Sequence, residues 1–363
     1  MGVPGFNDLC MHSYQPALET QTFEPPLINK VGYHTQQLVP PGVEIHVPGF
    51  GQTYSLEYLD PSKRSVGIYF FTIVQAMAEW GYTRDDDVRG APYDWRKAPN
   101  ENKEYFLALQ KMIEEMAGEG RRARAATGLE GPIHQSILSL GSPWAGVAKT
   151  LRVLISGDNN HIPVISPLKI RSQQRSAVST SWLLPYAHSW AKDQVLVQTP
   201  TTNYTVLDYQ RLYKDINFED GWMMRQDTEP LVADLRPPGV AVHCLYGSGI
   251  PTQASFQYTD KFPDVEPTVV MSDGDGTVNL QSAKQCGRWV GRQKQPVTLK
   301  ELDGNEHVDM LLNFTTVSYI RTCCSPLMLA GSDTSLRDSD LLMYSLVYTT
   351  IALENIVTFK KKK

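Results

Sequence analysis

The feature that most constrains this chain lies between residues 239 and 304, where apolar runs of strand length alternate with a helix-like segment. "GVAVHCLYG" (239–247) reads as an apolar strand, "TVVM" (268–271) as a second, "LQSAKQCGRWVGR" (280–292) as a helix candidate, and "VTLKELDG" (297–304) as a third strand ending in an Asp-Gly turn. Strands that alternate with helices bury their apolar faces best as an α/β fold with a mostly parallel sheet. Upstream segments continue the pattern. "GIYFFTIVQAMAEWGY" (67–82) predicts a helix with Gly81 near its end, and "DVRGAPYDWR" (87–96) a short strand and turn. "YFLALQKMIEEM" (105–116) has helical spacing, and the segment from Ile133 reads as a strand running into "SLG".

Residues 157–236 break the alternation with prolines, tryptophans and few long periodic runs, as an insertion over a core would. The expected division is therefore a core of 39–156 and 237–322, a cap of 157–236, an irregular start of 1–38, and a divergent tail of 323–363. Hydrophobic content of 41% and charged content of 20% are those of a soluble globular protein, and a net charge of −5 offers no footprint for nucleic acid. The tail has only thirteen residues from Leu341 before Glu354, short of the roughly 20 that a membrane span needs, so no transmembrane segment is expected. The first residues lack the basic start and long apolar core of a signal peptide. Five cysteines show no metal-ligand spacing, and neither metal nor cofactor is expected. Adjacent Cys323 and Cys324 are expected to be free thiols. Two sequons, at Asn203 and Asn313, are candidate glycosylation sites of a secreted or lysosomal chain.

Two polar residues fall where ligands of open α/β sheets bind, in loops after strands. Asp275 lies in the glycine-rich "SDGDGTVN" after "TVVM", and His307 lies in "DGNEHVDM" after "VTLKEL". Strand, acid, helix, strand, histidine is the closing half of an α/β-hydrolase, in which the carboxylate fixes the imidazole tautomer and stabilises its cation during acyl transfer. Asp273 is a rival for the acid. The loop is not an EF-hand, because Thr277 and Val278 stand where a ligand and a glycine are needed.

The stretches "PGVEIHVPGFGQTYSLEYLDPSKRSVG", "GYTRDDDVRGAPYDWRKAPNEN", "SLGSPWAGVAKTLRVLISGDNN", "RSAVSTSWLLP", "INFEDGWMMRQDTE" and "SDGDGTVNL" closely resemble the lecithin–cholesterol acyltransferase family, from about residue 28 to about 321. The resemblance implies an α/β-hydrolase core with a cap, acting as a serine phospholipase A2 and O-acyltransferase in lipid metabolism. Such an enzyme takes an acyl chain from a glycerophospholipid at a membrane surface and passes it to water or a lipid alcohol, as a monomer in the lysosome or outside the cell. It further implies Asp275 and His307 as triad acid and base, and a disulfide between Cys244 and Cys286 near the site.

One element of that family is missing. Its strand, tight serine-bearing turn and following helix stand between the segments that match "MIEEM" and "SLG", where this chain has "GRRARAATGLEG" (120–131), without a serine. A nucleophile elbow needs small residues two before and two after its serine. Ser65, Ser139 and Ser272 have glycine at +2 but Lys63, Ile137 and Val270 at −2. Ser139, at the end of an apolar strand and before a Ser142–Pro143 helix start, is the fallback nucleophile. The family's first strand, with a Val-Pro-Gly-Asp segment that supplies an oxyanion group, has no counterpart in 1–38. One central strand is therefore expected to be lost and turnover impaired. A lipid-binding protein without turnover, and an unstable product of an aberrant transcript, are the alternatives.

Overall fold

A computed structural model describes residues 46–59, 67–126, 136–160, 162, 164–324, 342–343 and 355–359. Ten strands are described: β1 Val88–Pro92, β2 Ser136–Leu140, β3 Val197–Gln198, β4 Asn203–Tyr204, β5 Ala241–Ser248, β6 Ile250–Gln257, β7 Thr268–Gly274, β8 Val297–Asp303, β9 Leu342–Met343 and β10 Asn355–Phe359. They form a six-stranded sheet in the order β1-β10-β9-β2-β5-β8 and a four-stranded sheet in the order β4-β3-β6-β7. In the larger sheet β9, β2, β5 and β8 run parallel, while β10 is antiparallel to both its neighbours. This is the mixed α/β architecture of an α/β-hydrolase.

Among the described residues, no strand lies between β1 and β2 in the chain. The two positions between them in the sheet are occupied by β9 and β10 of the tail. "TVVM" is corrected in one respect. It begins β7, a strand of the smaller sheet, paired antiparallel with β6 from Ile250↔Gly274 to Gln257↔Thr268. Most of its side chains are exposed, whereas the central parallel strand β5 is mostly buried.

The helix expected over 67–82 is α1, Phe71–Glu79, with Ile73, Val74 and Met77 buried. Gly81 follows it with φ +94°, a conformation that favours glycine. The next helix, α2, spans Lys103–Ala126. It carries the 105–116 pattern and runs on into the arginine-alanine stretch, whose residues are good helix formers. The rest of that stretch, 127–131, lies outside the described residues, as do 1–45 and the tail apart from β9 and β10. No helix starts at Ser142–Pro143. That segment is a chain of turns, with Gly146 N–H donating to Pro143 O at 2.9 Å, and α3 begins only at Lys149 and ends at Ile155. The 280–292 candidate resolves into an α-helical turn, Leu280–Ala283, and a 3-10 stretch, Lys284–Trp289.

The insertion contributes α4 Pro167–Ser176, α5 Val178–Trp182, α6 Tyr209–Asp215 and α7 Glu219–Thr228, and its β3 pairs parallel with β6. One apolar cluster joins it to the core: Trp182, Leu184, Trp190, Leu212 and Tyr213 pack with Ala145, Ala148, Leu151 and Phe256. On one face of the larger sheet Leu138, Leu140 and Leu245 pack on α1 and on Ile320 of the final described helix, α8, Phe314–Cys324. On the other, Cys244 packs with Cys286 and Trp289.

Candidate active site

Asp275 and His307 are brought together at the carboxyl end of β5 and β8. His307 Nδ1 lies 2.7 Å from Asp275 Oδ2, and both side chains are buried, 2% and 1% exposed. The contact is doubled by the main chain, with His307 N–H donating to Asp275 O at 2.9 Å. Asp275 Oδ1 accepts from the N–H groups of Thr277 and Val278 at 3.0 and 2.7 Å. The Gly276 N–H donates to Thr252 Oγ1 at 2.8 Å. The loop residues "DGT" thus wrap their own carboxylate and aim its second oxygen at the ring.

With a carboxylate as acceptor, the hydrogen of that bond sits on Nδ1, so in the neutral ring Nε2 is the nitrogen with the lone pair. His307 Nε2 is buried without a hydrogen-bond partner among the described residues. Asp273 is elsewhere: it is exposed, and its Oδ1 accepts from Gly249 N–H at 2.7 Å.

Two glycines make room for the pair, and sequence reasoning did not single them out. Gly141, at φ +60°, lies against the ring so closely that a Cβ there would stand 2.9 Å from His307 Cε1 and Nδ1. A Cβ at Gly247 would meet Asn305 O at 2.1 Å and Asp275 Cβ at 2.7 Å. The one signal available was position, since each glycine sits at the end of a predicted strand.

Among the described residues no serine hydroxyl is bonded to His307 Nε2. Ser139 is in the body of β2, paired in register with Cys244, 1% exposed, and its Oγ is without a partner. Ser139 Oγ and His307 Nε2 therefore do not bond each other. Ser272 belongs to β7, where its hydroxyl accepts from Asn279 Nδ2 at 3.1 Å. Ser65 lies outside the described residues. Ser142 is 2% exposed in the turn after β2 and caps no helix.

Cys244 and Cys286 form a disulfide, and Cys323 is a free thiol that burial pushes up to about 11. The Cys324 side chain lies outside the described ones. Asn203 is exposed on β4. Asn313 is engaged: its Nδ2 donates to Asn305 Oδ1, in the loop that carries His307, and its Oδ1 accepts from Thr315 N–H at 2.7 Å.

A cavity of about 500 Å³ opens between the turn after β2 and the cap. Its walls are mostly apolar, with Trp144, Trp182, Tyr186, Leu231 and Trp289 among them, and Asp234 and Arg236 add charge. Among the described residues no group of three or more His, Cys, Asp or Glu side chains could hold a metal, and no helix is long and apolar enough to cross a membrane.

An α/β sheet with a buried Asp–His pair at its carboxyl edge and an inserted cap defines the α/β-hydrolase class. The sequence model of lecithin:cholesterol acyltransferase matches residues 27–125 and 129–314, so the chain belongs to the lecithin:cholesterol acyltransferase family. Relatives include the lysosomal phospholipase A and acyltransferase of Rattus norvegicus, 58% identical over 300 residues, 78% of this chain and 72% of the relative. That of Homo sapiens is 57% identical over 311 residues, 81% and 75% of the two chains. The phosphatidylcholine-sterol acyltransferase of Gallus gallus is 43% identical over 297 residues, 77% and 71%.

Proposed function

We propose that this chain is a glycerophospholipid-directed phospholipase A2 and O-acyltransferase in which Asp275 and His307 are the acid and base, and in which turnover is impaired for want of a nucleophile. The single observation that carries the reading is His307: one ring nitrogen is fixed by a buried carboxylate and the other has no hydrogen-bond partner among the described residues. In a working site, Nε2 would take the proton from a serine Oγ as that oxygen attacks the acyl carbonyl, and would return it to the departing alcohol. Asp275 would hold the ring for both steps. The acceptor, water or a lipid alcohol, then takes the acyl group by the reverse sequence, at a lysosomal or extracellular lipid surface.

A second reading, lipid binding without turnover, is favoured by the apolar cavity beside the cap. The two are separated by a fluorophosphonate probe followed by peptide mass spectrometry. Impairment predicts no serine labelled above the level of His307→Ala, with phosphatidylcholine vesicles still bound. A single labelled serine whose labelling is lost in His307→Ala refutes the impairment and names the nucleophile. Vesicle binding that survives His307→Ala without any hydrolysis at high enzyme concentration favours the binding protein.

A further inference from the structure

We infer that the cavity between the turn after β2 and the cap is a slot for one acyl chain, and that its ligand is a single-chain zwitterionic phospholipid, a lysophosphatidylcholine. This rests on the lipid-directed reading above and adds to it the number of chains and the head group. The walls decide the chain. Trp144, Trp182, Tyr186 and Trp289 line the space, and two of these rings have their polar atoms engaged within the protein. Trp289 Nε1–H donates to Leu235 O at 2.8 Å, and the Tyr186 hydroxyl to Trp182 O at 2.8 Å. Pro143 and Pro230, also in the wall, have no N–H to offer. Hydrocarbon suits such a lining, and a polar group left unpaired there is penalised. At roughly 30 Å³ per methylene, close to a water molecule's share of the liquid, the cavity of about 500 Å³ holds one chain of about 16 carbons. A second chain of that length would lie outside.

The rim decides the head group. Asp234 and Arg236 line the cavity, yet their side chains are 71% and 86% exposed, with Arg236 Nη2 3.5 Å from Asp234 Oδ2. An exposed ion pair is weakly held, so a ligand can part it. A phosphate then takes Arg236 in a charge-assisted hydrogen bond, and a quaternary ammonium takes Asp234 by charge. A fatty-acid carboxylate has a partner in Arg236 alone and is repelled by Asp234. Exposed Leu231 and half-buried Val232 carry the apolar wall up to this charged rim. Neither Asp275 nor His307 lines the cavity, but Ser142 of its wall follows Gly141, which packs on the His307 ring. The slot therefore lies next to the catalytic pair rather than around it.

The tryptophans of the wall supply the readout. The full chain is titrated with lysophosphatidylcholine carrying a brominated acyl chain, kept below the concentration at which it forms micelles, while tryptophan fluorescence is followed. Saturable quenching at one ligand per chain is expected, with a smaller amplitude in Trp144→Phe. Arg236→Gln and Asp234→Asn, both at the surface, should each raise the Kd roughly twofold to fivefold. Val232→Phe, which takes space from the chain, should raise it further. Unchanged affinity in all three of these variants overturns the slot. Equal affinity for a brominated fatty acid overturns the head-group assignment, and equal affinity for dispersed brominated diacyl phosphatidylcholine overturns the single chain. Phosphatidylcholine vesicles are tested alongside. Vesicles bound without any quenching by the single-chain probe overturn this proposal alone, whereas loss of both overturns the lipid-directed reading with it.

Discussion

Gly141 and Asp158 carry burdens at the scale of single residues that composition does not show. Gly141 packs on the His307 ring at φ +60°, so Gly141→Ala adds both a left-handed backbone strain and a methyl 2.9 Å from the imidazole. A loss of about 2 kcal/mol is expected, with a lowered melting temperature and a shifted His307 ring resonance by NMR. An unshifted resonance would mean that the glycine does not set the ring's place. Asp158, 2% exposed, pairs with Lys149 at 3.2 Å and Arg152 at 3.8 Å where the cap leaves α3. Burial alone would raise its carboxyl, but the two cations and the Asn160 N–H outweigh that and hold it below its ordinary value of 3.8. A depressed carboxyl contributes stability above its unfolded value and loses it as pH falls through the folded one. Asp158→Ala should therefore cost about 1 to 3 kcal/mol near neutral pH, by taking the shared carboxylate from two half-buried cations that keep only Asn160 and Glu266. The gap to the unchanged protein should narrow as pH drops below 3.8. Melting curves across that range check it, and a gap independent of pH would refute the ion-pair account.

At the scale of elements, Arg225 of α7 ties the cap helices together. Fully buried, it donates to the carbonyls of Ser181, Trp182, Leu184 and Pro185 at the end of α5, and its guanidinium lies 3.9 Å over the Tyr186 ring. A cation at a helix carboxyl end meets the negative pole of that helix. Arg225→Met removes the donors from several buried carbonyls and should cost about 3 to 5 kcal/mol. Limited proteolysis should then cut first within 177–236, and cleavage elsewhere at the same rate would argue against the clamp. Element by element, the sequence was legible where pattern is long. The run 239–247 became β5 because a parallel strand with neighbours on both sides stays apolar, and 297–304 became β8, an edge strand with one paired side and mostly exposed residues. "TVVM" was legible as a strand but not as a member of the second sheet, because four residues carry no information on their partner. Asp275 and His307 were legible through their order along the chain. The room Gly141 gives the ring was not, since a left-handed φ leaves no mark beyond the glycine itself.

The disulfide acts on the whole molecule. Cys244 on β5 and Cys286 in the 3-10 stretch are 42 residues apart and join the sheet to the layer that covers it. Closing a loop of that length removes unfolded-state entropy worth about 3 to 4 kcal/mol. Reduction should lower the denaturation midpoint accordingly, and equal midpoints with and without reductant would refute it. The tail strands also belong to this scale. Nothing in "LLM" or "NIVTF" names a distant partner, although residues as far apart as 88 and 359 are paired.

The apolar cluster shared by cap and core has a consequence for how the protein comes apart. Trp190, Leu212 and Tyr213 of the insertion share their interior with Leu151 and Phe256, and β3 is hydrogen-bonded to β6. A lobe built this way has no seam along which it could detach alone. Heating should therefore give a single calorimetric peak whose van't Hoff and calorimetric enthalpies agree, the cap vanishing at the same temperature as the floor beneath it.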